Sequence, residues 1–304
     1  MNISRQVLQS YIELPESDRA LRSLLDDIGI EVKRVNQTEA GDSVFGLELL
    51  ANRGDHYCYA GIARAISGRT GAAVCGPEWR ALETSDNGEV PVELASELCL
   101  GYSATLLTRD AQEATPLSAE QLAPLDAASI HSITAPIDAT NLANLELGQP
   151  THVFDASKVD GTIHIRLSKE GEEAWLLFEE SPRKIPAETI VIADDSKILA
   201  IAGAIGCEDS KATEDTTEII IESACFDPVK VRKTGRALGL HTDALARFER
   251  GADPELAVVG AARVVQLLET VGWSLESPTT QVGDWVNPNR ELVLNVERLN
   301  QFLG

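Results

Sequence analysis

The chain has 304 residues, 43% of them hydrophobic and 24% charged, with 48 acidic against 26 basic side chains and a formal net charge of −22. This length suits two domains, no stretch approaches the ~20 uninterrupted apolar residues of a membrane helix, and charges run through the N-terminal segment, so a soluble cytoplasmic protein without a secretory leader is expected. The negative surplus repels polyphosphate at long range, and five scattered cysteines with no CxxC pair argue against a disulfide framework or a zinc knuckle.

Ile3, Val7, Leu8, Tyr11 and Ile12 have helical spacing and predict a first helix, broken at Pro15. Ser17 then offers an N-cap to a second helix with Leu21, Leu24, Leu25 and Ile28 on one face and Gly29 at its end. "IEVKRV" reads as a strand, "EAGDS" as a turn, and "VFGLELLANRGD" as a strand ending in Asp55, the expected cap of a helix through Ile66 that stops at Gly68. Residues 76 to 92, polar and rich in glycine, proline and acid, suit a linker; 93 to 115 suit short strands and turns, and 118 to 130 a helix.

The middle of the chain turns β-rich. "TIHIRL", "AWLLF", "TIVIAD", "KILAIAGAIG" and "TEIIIES" alternate with turn residues, as in a mainly antiparallel or mixed sheet. Asp227-Pro228 and Asp253-Pro254 each set an acidic cap before a proline suited to the first helical position and announce two helices. "ELVLNVERLNQFLG" closes the chain as a strand and the first turns of a helix. The expected fold class is α+β: a helical N-terminal domain over 1–83, a mixed-sheet domain over 84–288, and the start of a further domain over 289–304. Between Pro228 and Gly251, Lys230, Arg232, Lys233, Arg236, Arg247 and Arg250 face only Asp243 and Glu249, a local basic run where a polyanion would be touched if anywhere.

Four colinear stretches carry a resemblance: "IDATNLANLELGQPTHVFD" (137–155), "ETIVIADDSKILAIAGAIGCEDS" (188–210), "TEIIIESACFDPVKVRKTGRALGLHTDALARFERGADPEL" (217–256) and, more weakly, "LELLANRGDHYCYAGIARAISGRTG" (47–71). Together they resemble the β subunit of bacterial phenylalanyl-tRNA synthetase. The resemblance implies a B3/B4 editing-type domain after the N-terminal domain, which in the family hydrolyses tyrosine wrongly esterified to phenylalanine tRNA. It also implies that the tRNA-binding OB-fold insertion is missing between Val35 and Leu47, and that the catalytic-like and anticodon-binding domains are missing after Gly304, as expected of a free-standing relative.

By residue-to-residue match, the resemblance assigns Glu222 to reading the tyrosine hydroxyl and His152 and Asn141 to the ester end of the pocket. It assigns Thr242 and Ala244 to the side-chain pocket and Gly203 and Gly206 to the tight strand turn beside it. Lys230, Arg232, Lys233, Arg236 and Arg247 are the expected RNA contacts. No metal or nucleotide cofactor is implied, since no phosphate-cradling glycine loop is present.

The match departs from the family pattern around the pocket: Cys207 and Lys211 stand for glycines, Leu245 for a serine, Leu142 for a tyrosine, and "LLFEES" (176–181) for an "LLDG" hairpin. Three readings follow. The first is a hydrolase clearing a mischarged aminoacyl-tRNA through its acceptor end. The second is a pocket repurposed for an amino-acid-like small molecule. The third is a non-catalytic module that docks to a partner, a second copy of the chain included.

Overall fold

The structure, a computed structural model, describes residues 1–76, 79–110, 115–287 and 289–304. The N-terminal end is a strand before it is a helix. Asn2–Ser4 pairs antiparallel with Ser43–Glu48, which pairs in turn with Glu31–Gln37, and only Arg5–Gln9 is helical. Ile3, expected on a helix face, instead lies opposite Phe45, both fully buried, because pairing buries it better than a helical turn would. Ser17 caps the helix Asp18–Asp27 as predicted, accepting from the backbone N–H of Ala20.

The next cap differs from expectation. Cys58, not Asp55, caps the helix Tyr59–Thr70, with Sγ accepting from the Gly61 N–H, while Asp55 is held by Arg53 in the preceding 3-10 turn. The helix passes through Gly68 and ends at Gly71, whose φ of 77° supplies the left-handed turn. Ser118 and Gln121 form a capping box for Ala119–Ala128.

Two larger sheets follow. One places strands in the order Thr84–Ser85, Thr279–Val282, Cys99–Arg109, Glu218–Phe226 and Thr151–Asp155, with Trp273–Leu275 also pairing to Cys99–Arg109. The other runs Ile205–Gly206, Ile198–Ile201, Ile190–Ala193, Ile163–Leu167 and Val92–Leu94. Each has one parallel pairing among antiparallel ones, the mixed pattern expected. The span 93 to 115 is not a series of short strands: Cys99–Arg109 is a single long one, and residues 111–114 lie outside the described residues. "AWLLF" yields only the strand Glu173–Ala174 and a bridge from Leu176 to Cys207. Residues 76 to 92, read as a linker, contain Thr84–Ser85; Pro77 and Glu78 of that stretch lie outside the described residues.

Asp227-Pro228 opens the helix Pro228–Leu238 as predicted, Asp227 accepting from Lys230 N at 2.7 Å. Asp253-Pro254 precedes its helix by more than expected, since the helix is Leu256–Glu269 and the Asp253 side chain turns back to Glu255 N. At the C-terminal end Val296–Leu303 is helical and the preceding "ELVLN" forms no strand. Among the described residues no helix is long and apolar enough to cross a membrane.

The strand Glu218–Phe226 lies between two cores. Ile219 and Ile221 enter the first, with Leu21, Leu25, Phe45, Tyr59 and Ile62 from the N-terminal elements and Leu142, Val264 and Leu268 from two later helices. This core crosses position 83. Ile220, Ala224 and Phe226 point to the other face and the second core, with Ile163, Ile165, Val191 and Leu199 of the neighbouring sheet. Period-two alternation thus buries both faces of one strand against different partners. Glu222 falls on the second face.

Candidate functional site

In the antiparallel ladder Glu222 lies directly opposite His152, and Ala104 flanks it on the other side. Opposed side chains in such a pair share a sheet face with Cβ atoms roughly 5 Å apart, so the register alone brings the carboxyl and imidazole to one place. They border a cavity of about 70 Å³ lined also by Pro150, Thr151, Ile192, Ala200, Ile201, Gly203, Ala204, Ile205, Gly206, Ala244 and Phe248. The second sheet provides the aliphatic wall, and the helix Asp243–Phe248 provides the side bearing Ala244 and Phe248.

The polar groups have few partners inside the protein. Nε2 of His152 and Oγ1 of Thr151 are buried with no hydrogen-bond partner, and Glu222, 6% exposed, is hydrogen-bonded to no described residue. Desolvation pushes the Glu222 carboxyl up to about 8 and the His152 imidazole down to about 4. Near pH 7 both are therefore neutral, a carboxylic acid that can donate or accept facing an imidazole with a free nitrogen. The Tyr102 hydroxyl is also buried and unpartnered, and its pKa is raised by desolvation first and by the Glu222 charge second.

Two glycines set the cavity's shape. A Cβ at Gly206 would sit 2.5 Å from both Cε1 and Nε2 of His152, so the bare backbone is what leaves room for the ring. Gly203, at φ 67°, makes the turn between Ile198–Ile201 and Ile205–Gly206, where a Cβ would come within 3.0 Å of Phe248. The His152 ring is fixed from below by Phe154, edge-on at 4.9 Å between centroids.

The structure thus brings together Glu222, His152, Ala244, Gly203 and Gly206. Thr242 stands one step back. Its Oγ1 donates to Ala204 O at 2.8 Å and accepts from Leu245 N, capping the helix Asp243–Phe248 and clasping the turn that forms the cavity wall. Asn141 is half-buried on the helix Ala135–Leu147, whose Ala139, Leu142 and Ala143 pack into the first core, and it does not line the cavity.

Of the basic run, Arg232, Lys233 and Arg236 are exposed on the helix Pro228–Leu238, and Lys230 is half-buried, 4.0 Å from Glu188. Arg247 requires a correction as an RNA contact: it is buried, its guanidinium donating to Asp243 O and Tyr57 O, so it joins the B3/B4-like region to the N-terminal elements. Charge counting along a sequence cannot see that burial. The cavity residues missed by sequence reading, Pro150, Thr151, Ile192, Ala200, Ile201, Ala204, Ile205 and Phe248, look like ordinary core; Ala200, Ile201, Ala204 and Ile205 sit beside the glycines of "AIAGAIG", and Pro150 and Thr151 sit next to His152.

Comparison with known proteins identifies the family. Residues 100–272 match the family described as the B3/4 domain. The phenylalanine-tRNA ligase beta subunit of Acinetobacter baylyi is 33% identical over 298 residues, covering 97% of this chain and 37% of that protein. Its counterpart in Aliivibrio fischeri is 37% identical over 262 residues, covering 86% of this chain and 31% of that protein. The chain thus spans about a third of the length of these curated relatives. Among solved structures, an N-terminal fragment of the phenylalanyl-tRNA synthetase beta subunit from Pyrococcus horikoshii aligns with a TM-score of 0.44 at 17% identity, covering 79% of this chain and 73% of that one. With the family matched across the very strands and helices that build the cavity, the chain belongs to the B3/4 domain family and is a relative of the phenylalanine-tRNA ligase beta subunit.

Proposed function

We propose that the chain is an aminoacyl-ester hydrolase that removes an amino acid wrongly attached to the acceptor end of a tRNA. The observation that carries this reading is the cross-strand pair of Glu222 and His152, both neutral at pH 7 and neither spent on an internal partner. A carboxylic acid at the wall of an aliphatic slot recognises a side-chain hydroxyl as donor and acceptor at once. An isostere lacking that hydroxyl leaves the buried acid unpaired, at a cost of about 1–3 kcal/mol.

In the reaction, water attacks the ester carbonyl carbon, the bond from that carbon to the ribose oxygen breaks, and the products are a free amino acid and a free ribose hydroxyl. His152 orients the water or accepts its proton, which its neutral form permits above pH of about 4, and the proton passes to the leaving ribose oxygen. The exposed Arg232, Lys233 and Arg236 supply phosphate contacts at the acceptor end.

The test is deacylation of phenylalanine tRNA carrying tyrosine, with the phenylalanyl ester in parallel. Faster loss of the tyrosyl ester than without protein, abolished in His152→Ala and levelled between the two esters in Glu222→Ala, is the expected result. Loss of neither ester above the uncatalysed rate would overturn the reading.

A further inference from the structure

Beside the cavity, the turn at 176–181 carries a residue in a conformation its side chain opposes. Phe178 has φ 67°, one of three non-glycine residues with positive φ among the described residues, and the residue is 89% exposed. A bulky side chain in the left-handed region is strained, and water is a poor place for an aromatic ring. Neither cost is offset by packing. The backbone around it is nevertheless firmly held: Phe178 N donates to Glu208 Oε1, Glu179 N to Leu176 O, and the Trp175 indole to Glu179 O at 2.7 Å.

This turn is bonded to both parts of the candidate site. Leu177 N donates to Gly206 O at 3.0 Å, and its side chain packs against Gly206, the glycine that makes room for His152. On the other side Arg183 bridges Glu179 Oε1 and Leu238 O, tying the turn to the C-terminal end of the helix that exposes Arg232, Lys233 and Arg236. The turn that carries this exposed aromatic is therefore bonded on one side to the cavity wall at Gly206 and on the other to the C-terminal end of the basic helix.

We propose that Phe178 is a nucleobase platform, stacking the adenine of the terminal nucleoside whose ribose carries the aminoacyl ester. The inference rests on the hydrolase reading above. With the amino acid side chain in the cavity, the ribose and its base must lie outside it, and a flat exposed ring stacks any base face without a hydrogen-bond code. The basic helix alongside then meets the phosphates that follow.

Calorimetric titration tests this without turnover, using 3′-tyrosylamino-3′-deoxyadenosine, whose amide resists hydrolysis, and tyrosinamide, which has no base. Wild type and Phe178→Trp are expected to bind the adenosine probe about tenfold more tightly than Phe178→Ala, while all three bind tyrosinamide alike. Phe178→Gly, which relieves the positive φ, is expected to melt at a higher temperature than wild type yet to share the weakened binding. Equal affinity of wild type and Phe178→Ala for the adenosine probe, or no binding of it by wild type, would overturn the platform. Binding that depends on Phe178 with no deacylation of tyrosyl-tRNA would instead leave the platform standing and remove the hydrolase reading.

Discussion

At Glu222 the folded protein holds a carboxyl near 8 that an unfolded chain would release near the usual 4.5. The native state therefore binds the extra proton between those values, and its contribution to stability is complete below about pH 4.5 and lost as pH rises toward 8. Glu222→Gln removes the ionisation, so the variant is expected to gain about 1–3 kcal/mol over wild type at pH 8 and far less at pH 5, read by chemical denaturation at both. An advantage independent of pH would mean that the carboxyl is solvated. His152 has the opposite sign. Its pKa falls to about 4, so protonation of the unfolded chain draws stability away as pH drops from about 6.5 to 4. His152→Gln is expected to flatten that acid limb in the same denaturation series. Gly206→Ala brings a methyl to within 2.5 Å of the imidazole and is expected to cost about 1–3 kcal/mol and to slow deacylation at least about tenfold, measured at saturating ester.

Helix Asp243–Phe248 shows how an element serves a cavity it scarcely enters. Thr242 ends it with a cap and extends the same hydroxyl to Ala204, so one side chain fixes both the helix start and the wall turn. Thr242→Val is expected to cost about 1–2 kcal/mol in thermal unfolding and to raise KM for the ester more than it lowers kcat, because the wall loosens while Glu222 and His152 stay opposed. Caps of this kind were legible in the sequence: Ser17 and Asp227 act locally, within three residues of the groups they satisfy. Long-range choices were not. Ile3, Val7 and Leu8 have helical spacing, yet pairing with Ser43–Glu48 claims Ile3 for a strand. Cys99–Arg109 mixes glycine, serine and threonine with its apolar residues because both its faces are covered, so no alternation announced its length. The site divided in the same way. Glu222, His152 and the glycines were found through their resemblance to a family motif, whereas Asn141 and Arg247 owe their placement to packing that motif matching does not describe.

At the scale of the molecule, charge and connection pull differently. A net −22 repels RNA at a distance, so in the proposed reaction capture would rely on the exposed Arg232, Lys233 and Arg236. With three such contacts, the logarithm of tRNA affinity is expected to fall against the logarithm of salt with a slope of about −2, and to flatten in an Arg232→Gln, Lys233→Gln, Arg236→Gln triple variant, measured by filter binding. An unchanged slope would place the RNA elsewhere. The N-terminal elements are joined to the rest by more than chain continuity: Arg247 donates to Tyr57 O, Arg250 lies over the Tyr57 ring at 4.6 Å, and the first core draws from both sides of position 83.

Burial of both faces of Glu218–Phe226 makes the strand's register a form of addressing. Shifting it by one residue would turn Ile221 or Ser223 toward the cavity and send Glu222 to the face of the first core, lined by apolar side chains such as Leu142, Val264 and Leu268. A single-residue insertion before Ile219 thus exchanges the contents of the two cores at once. Any transplant of this module into another protein has to preserve that frame to the residue, although the loops at either end of the strand can be redrawn.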